Sequence, residues 1–437
     1  MNKPTINIFW FRRDLRLHDN ACLYQALRDN NPVIPIFIFD KNILDKLDNK
    51  EDRRVTFIYE SLKEIDVKLR SEGSLLEIFY DYPEKVFSQL LSKYTIQKVF
   101  TNHDYDPYAI ERDAAIYEIL KTAGAKFITC KDHVIFEKNE VVKDDGSPYT
   151  VFTPYSRKWK ATLSDRDLQP FATETYFSNF YKQPPQTFFS LELTGFTKAT
   201  GAFPTKEAGD DLIKNYFEQR NFPSVNGTSR LGVHLRFGTI SIRELVAKAT
   251  QLNETFLNEL IWRDFYQAIL WHFPHVGRNK AFKPTYDNII WRNNETEFER
   301  WCNGQTGYPI VDAGMRELNA TGFMHNRVRM IVASFLSKHL LIDWRWGEAY
   351  FAGKLLDYEL ASNNGGWQWA AGSGCDAAPY FRIFNPYLQT KKFDPEFKYI
   401  KQWVPEFMDP DYPSPIVVHE VARERCLQVY RKALNEK

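Results

Sequence analysis

The sequence has no C-x-x-C pair. Its five cysteines, Cys22, Cys130, Cys302, Cys375 and Cys426, are odd in number and far apart. This speaks against a disulfide framework or a zinc site and fits a reducing cytosol. No apolar run approaches the length of a membrane span. The opening stretch MNKPTINIFWFRRD has too short an apolar run for a signal peptide, and Asp14 and Asp19 speak against a transit peptide. A cytoplasmic protein is expected. No G-x-G-x-x-G follows the first strand pattern, so the ordinary dinucleotide fingerprint is absent. Charge of one sign is missing too: 57 Lys and Arg face 56 Asp and Glu, for a net charge of +1. That excludes a uniformly basic coat but not nucleic acid, which needs only one basic face. Internal repeats and low-complexity segments are absent as well.

Aromatic residues are plentiful, 16% of the chain with 11 Trp, 23 Tyr and 34 Phe, and offer flat surfaces for stacking. With 437 residues the chain can build two domains. Over residues 1–133 short β-rich runs (INIFWF, VIPIFIFD, LLEIFYD, KVFTNHD, KFITCKDH) alternate with helical stretches, two of which close on Gly. Such alternation predicts an α/β domain with a parallel sheet covered by helices. Residues 134–205 read as a connector that begins with a hairpin turning at Asp145–Gly146. Residues 206–437, with NETFLNELIWRDFYQAILWHF and NRVRMIVASFLSKHLLIDW, read as a large all-α domain.

Several segments could carry chemistry. GTSRLGVHLRFGTIS (227–241) offers Thr228 and Ser229 before a helical pattern, either as a diphosphate cradle or as an ordinary N-cap. In NELIWRDFYQ, Glu259, Trp262, Arg263 and Tyr266 are spaced by helical steps. They form either a carboxylate and an indole on a cavity rim or an amphipathic helix with a buried Trp. MHNRVRM places Asn326, Arg327 and Arg329 beside an apolar helix, as a phosphate-contacting surface or a solvated charged face. In LLDYELASNNGGWQW, Asp357 and Glu359 precede Asn363, Gly365 and Gly366. If helical, Trp367 and Trp369 point to nearly opposite sides. Trp291 and Trp344 lie nearby in sequence. Easily oxidised indoles beside such a cradle suggest a redox-active, light-absorbing organic cofactor such as a flavin.

Taken together, IFWFRRDLRLHDN, GTSRL, NELIWRDFY, TGYPIVDAGMREL, MHNRVRM and NNGGWQW, in this order, resemble the photolyase/cryptochrome family, most of all the class I cyclobutane pyrimidine dimer photolyases. The resemblance implies a Rossmann-like N-terminal domain and an all-helical domain holding a U-shaped FAD. Tyr216 and residues 228–232 (Thr228, Ser229, Arg230, Leu231, Gly232) would contact its phosphates. Asp357 and Glu359 would bond the polar ring edge, Arg329 would pair with Asp357, and Asn363 would face N5. Phe256 and Tyr358 would complete the cofactor set. An amide cannot protonate N5, so the reduced anionic flavin is retained. Damaged DNA would be the partner of a monomeric enzyme, with the dimer flipped out and split by one electron from the excited reduced flavin. Glu259 and Asn326 would hydrogen-bond the dimer, and Trp262 and Trp369 would flank it. Arg220, Arg263 and Arg327 would contact phosphates, with Tyr266 and Met330 joining the DNA-binding set. Trp367, Trp344 and Trp291 would relay electrons to an oxidised flavin.

The chain departs from the family pattern in places. Gly232 stands where Ser is usual, and Glu359 where Asp is commoner. TNHDYDPYAIERD and HVGRN lack the folate-contacting residues, so an antenna chromophore of folate or flavin type is left open. A (6-4) photolyase would need His where the chain has Asn326 and Met330. A cryptochrome would carry a long tail and often Asp in place of Asn363.

Overall fold

The computed structural model describes residues 3–434. Two compact units emerge. The first comprises the chain up to Glu137 together with Leu163–Glu207 and Arg230–Lys248. The second comprises Lys138–Thr162, Ala208–Ser229 and the chain from Ala249 onward. The stretch 134–205 is therefore shared between the two.

In the first unit, five strands form one parallel sheet in the order β3-β2-β1-β4-β5: β1 (Thr5–Phe11), β2 (Val33–Asp40), β3 (Glu77–Asp81), β4 (Thr95–Asn102) and β5 (Lys126–Cys130). β2, VIPIFIFD, is buried along its whole length, as befits a central strand covered on both faces. Around the sheet lie α1 (Ala21–Leu27), α2 (Arg53–Ser71), α3 (Pro83–Lys93) and α4 (Pro107–Thr122). Local chemistry sets their ends. Asn20 accepts from the Leu23 N–H and Asp52 from the Arg54 N–H, while Pro83 and Pro107 open their helices. Gly73 and Gly124 take positive φ just past α2 and α4, as a helix stop requires. Strand order reverses between β1 and β4, so the carboxyl ends of those strands form a natural crevice.

The second unit is helical. α5 (Phe152–Thr162) packs on α6 (Glu254–His272). α7 (Pro309–Thr321), α8 (Asn326–Ser334), α9 (Trp344–Lys354), α10 (Leu360–Ala371), α11 (Pro386–Phe393) and α12 (His419–Leu434) follow. The core gathers Trp301, Tyr308, Met315, Val332, Leu336, Trp344, Phe351 and Trp367. Two expectations differ in detail. The hairpin at Asp145–Gly146 reduces to one antiparallel bridge, Val142 to Pro148, around Gly146 at φ 80°. The helix read through NRVRMIVASFLSKHLLIDW is interrupted. α8 ends at Ser334, a π-helical turn covers Phe335–His339, and Leu341 takes φ 51°. Leu336, Leu340 and Leu341 are all buried, so packing overrides the helical period. No helix among the described residues is long and apolar enough to cross a membrane.

Candidate active site

α6 carries Phe256, Glu259, Trp262, Arg263 and Tyr266, and Asn253 starts it by accepting from the Phe256 N–H at 3.1 Å. Glu259 forms an ion pair with Arg220, both side chains half-buried. Burial raises the Glu259 carboxyl above its ordinary range, against the pull of Arg220 and Arg327. Arg327, on α8, donates to Asn221 Oδ1 at 2.5 Å and lies 4.4 Å from the Phe393 ring centre. Burial, then the neighbouring Arg220 and Arg382, lower its pKa. Two guanidiniums act on one carboxylate, with Arg382 beside Arg327, and the cluster carries net positive charge suited to an anionic ligand that also offers hydrogen-bonding groups. Asn326 is exposed at the start of α8, and Met330 is half-buried with its sulfur 3.5 Å from Arg327 Nη1. Trp262 is half-buried and stacks on Phe152.

Arg263 corrects one expectation. It is 8% exposed and donates to Glu359 Oε1 at 3.3 Å. An arginine turned inward onto a carboxylate is not presented to a DNA phosphate; it orients Glu359.

α10 and the turn before it supply the other set. Arg329 donates to both carboxylate oxygens of Asp357 at 3.0 and 3.2 Å, the pairing anticipated from the sequence. Glu359 is buried at the N-cap of α10 and accepts from Ser362 Oγ at 3.1 Å. Asn363 donates through Nδ2 to Glu348 Oε1 at 2.8 Å and to the Glu348 carbonyl at 3.1 Å. Its carbonyl oxygen accepts from no side chain described for the site, which leaves it available as an acceptor. Glu348, on α9, carries a pKa raised by burial, partly offset by this bond. Glu359, Asn363 and Trp367 follow at intervals of four, which aligns them along one face of α10. A Cβ added to Gly366 would meet nothing within 4 Å. An oxygen acceptor, two anchored carboxylates and open space fit the hydrogen-bonding edge of a flavin. Gly365 has a different task from admitting a cofactor. A Cβ there would lie 3.0 Å from Tyr266 Cζ and closer still to Cδ1 and Cε1, so the glycine makes room for that ring.

Tyr216 meets Phe256 edge-on at 5.1 Å. Tyr358 packs half-buried on the helical core. Thr228 and Ser229 are half-buried, Arg230 is exposed at φ 53° and Leu231 is buried. The short helix Gly232–Phe237 has Leu231 at its N-cap and no side-chain cap bond, so the ordinary N-cap reading of Thr228 and Ser229 does not apply. Trp367 is 2% exposed in the core with Trp344, and Trp291 packs at the edge of the same cluster. Trp367 meets Phe351 at 5.0 Å and Trp301 at 6.1 Å. Trp369 is half-buried. Glu348, Phe152 and Trp301 were not singled out from the sequence. Each reaches the site from a distant segment and carries no local signal.

In the first unit the carboxyl ends of β1, β4 and β5 frame a small polar recess of about 10 Å³, lined by Arg12, Arg13, Asp14, Asn102, Asp104 and Asp132 among others. Burial there would raise Asp104, but Arg13, at 2.9 Å, and Arg12 hold it well below the usual carboxylate range.

Comparison with known proteins agrees with this division. The family model described as DNA photolyase matches residues 7–174, and that described as FAD binding domain of DNA photolyase matches 256–410. A deoxyribodipyrimidine photo-lyase of Halobacterium salinarum is 35% identical, covering 98% of this chain and 99% of its own. A bacterial class III photolyase from Agrobacterium tumefaciens superposes with a TM-score of 0.83 at 34% identity, over 100% of this chain and 98% of that one. An archaeal photolyase from Sulfolobus tokodaii, described with two FAD molecules, superposes with a TM-score of 0.81 at 36% identity, over 97% and 99%.

Proposed function

The chain belongs to the DNA photolyase family, with light-driven repair of cyclobutane pyrimidine dimers as its activity and FAD as its cofactor, and we propose that its residues divide the task as follows. Bound in the helical unit, FAD would supply the light absorption and a single electron that opens the cyclobutane ring and then returns to the flavin, so that repair is redox-neutral. Asp357, anchored by Arg329, and Glu359, anchored by Arg263, hold the polar edge of the ring system. Asn363 turns its carbonyl oxygen to the same edge with its amide nitrogen engaged by Glu348, so no acidic proton stands there. Tyr216, Phe256 and Tyr358 complete the cofactor walls, and the diphosphate falls to Thr228 and Ser229 of the same unit. Trp367, with Trp344 and Trp291, would relay electrons from the surface to a flavin that has become oxidised, a task separate from repair.

The dimer, poorly stacked and paired in the duplex, is flipped out at low cost. Arg220 and Arg327 bind flanking phosphates. Glu259 and Asn326 hydrogen-bond the lesion, Trp262 and Trp369 contact its apolar surface, and Tyr266 and Met330 line the approach. One chain carries every residue named, so a monomer suffices, acting in the cytoplasm on the nucleoid. A second chromophore of folate or flavin type would sit at the carboxyl ends of the first unit's strands, where the small polar recess between Arg13 and Asp104 would have to open to admit it. The observation that carries this reading is the cluster in which Glu259, on the same helix as Trp262, pairs with Arg220 and feels Arg327. Illumination of the reduced enzyme with oligonucleotides bearing either a cyclobutane dimer or a (6-4) photoproduct tests it. Only the cyclobutane dimer should revert, and only in light. Reversion of the (6-4) lesion alone would refute it.

A further inference from the structure

Phe152 and Trp262 form a parallel stack, with ring centres 3.8 Å apart and planes 4° from parallel. Aromatic pairs commonly settle offset-stacked or edge-on, with ring centres about 4.5–7 Å apart. The rings nearby follow the preference. Phe265 meets Phe152 at 74° and Trp262 at 76°. The Phe152–Trp262 pair is closer than this range, and backbone contacts hold Phe152 in place. Phe152 opens α5, and its N–H donates to Asp376 Oδ2 at 3.2 Å. Asp376 itself holds φ at 47°, a left-handed conformation that Asp tolerates better than most residues. It lies just past the end of α10, so the segment leaving the helix of Asn363 and Trp367 clamps the residue behind Trp262. Tyr266, tilted by 34° at 5.4 Å from Trp262, is seated in turn against Gly365. Trp262 is thus constrained from two directions and still half-exposed.

We propose that Phe152 is a positioning residue for lesion recognition: it covers one face of Trp262, fixes the plane of the indole, and leaves one open side for the splayed pyrimidine dimer. This rests on Trp262 being a wall of the lesion pocket. An indole free to tilt would meet normal and damaged bases alike, since every base has a stacking face. An indole fixed in plane favours the ligand whose shape matches that plane.

The test uses the holoenzyme and two duplexes, one with a single cyclobutane dimer and one undamaged. Phe152→Leu, which removes the ring, should lower the ratio of the two affinities by about three- to tenfold, the worth of one aromatic pair. It should also change the near-ultraviolet circular dichroism assigned to Trp262 by difference against Trp262→Leu. Phe152→Tyr should restore both. In the Trp262→Leu background, Phe152→Leu should change nothing more. Asp376→Asn, which weakens the clamp and keeps the ring, should shift the ratio the same way by a smaller factor. That variant serves if Phe152→Leu does not fold. An unchanged ratio in Phe152→Leu, or a loss that adds in full to that of Trp262→Leu, would overturn the proposal. If Trp262→Leu itself leaves the ratio intact, the pocket reading fails and the role of Phe152 falls with it.

Discussion

Gly347 offers a test in which two opposing effects can be weighed. It sits on α9, and a Cβ there would lie 2.5 Å from Trp367 Cζ3, closer still to Cη2, and 2.6 Å from Leu336 Cδ2. Carbon atoms in contact prefer about 3.5–4.0 Å, so Gly347→Ala must drive the indole back by about 1 Å or more. Trp367 has nowhere to retreat: it is 2% exposed and boxed by Phe351 and Trp301. Overpacking costs about 1–3 kcal/mol, and contacts this short to two buried side chains place it in the upper part of that range, about 2–3 kcal/mol. Against that, Ala is favoured over Gly in a helix by about 1 kcal/mol. The steric cost should win, leaving a net loss of about 1–2 kcal/mol, or about 2–8 °C in Tm for a unit of this size. Gly353, exposed on the same helix, is the control. A Cβ there meets nothing within 4 Å, so Gly353→Ala should leave Tm unchanged or raise it. Thermal melts of both variants, followed by near-ultraviolet circular dichroism, decide the matter. A Gly347→Ala protein as stable as the parent would refute the reasoning, because it would mean that the wall around Trp367 yields freely.

Three further outcomes follow from the site. Burial raises the Glu348 pKa. The folded protein therefore keeps a proton that the unfolded chain releases, and stability falls as pH rises from about 4.3 to the folded-state value. Glu348→Gln keeps an acceptor for Asn363 and should be more stable than the parent at pH 7 but not at pH 4; urea titrations at both pH values check this, and an equal gain at both would refute it. Arg327→Ala should weaken damaged and undamaged DNA alike and reduce the slope of log affinity against log salt by about 1, as loss of one phosphate contact does; an unchanged slope places the side chain elsewhere. Trp367→Phe should abolish photoreduction of oxidised FAD, followed by transient absorption, while enzyme reduced chemically beforehand repairs dimers almost as the parent does.

What could be read from the sequence was local. Strand patterns and the glycines after α2 and α4 depend on neighbours a few residues away, and so does the spacing of Glu259, Trp262 and Tyr266 on α6. The Arg329–Asp357 pair was accessible only through family resemblance, since 28 residues separate the partners. Glu348 was not accessible: in RWGEAYF it looks like any helix carboxylate, and its meaning comes from Asn363 on another helix. Phe152 was hidden for the same reason, inside a stretch whose sequence reads as hairpin and connector, although its ring lies flat on Trp262. Arg263 was misplaced because a cation on a helix of mixed polarity gives no sign of which way it turns; the buried carboxylate of Glu359 decided that.

The run NNGGWQWA, so unlike an ordinary helix, becomes coherent once its faces are separated. Asn363 and Trp367 lie one turn apart on the face that begins with Glu359, so acceptor and indole are placed by the rise of a single helix. Two residues on, Trp369 turns to another side and stays half-exposed. Between them, Gly365 yields space to Tyr266, a neighbour of Trp262, and Gly366 leaves an opening. An alanine at 365 would improve helix propensity and at the same time push Tyr266 toward Trp262. The glycine's intrinsic cost of about 1 kcal/mol is thus offset by the geometry it permits, since one rigid helix then fixes both the electron-donating side and the lesion-facing side.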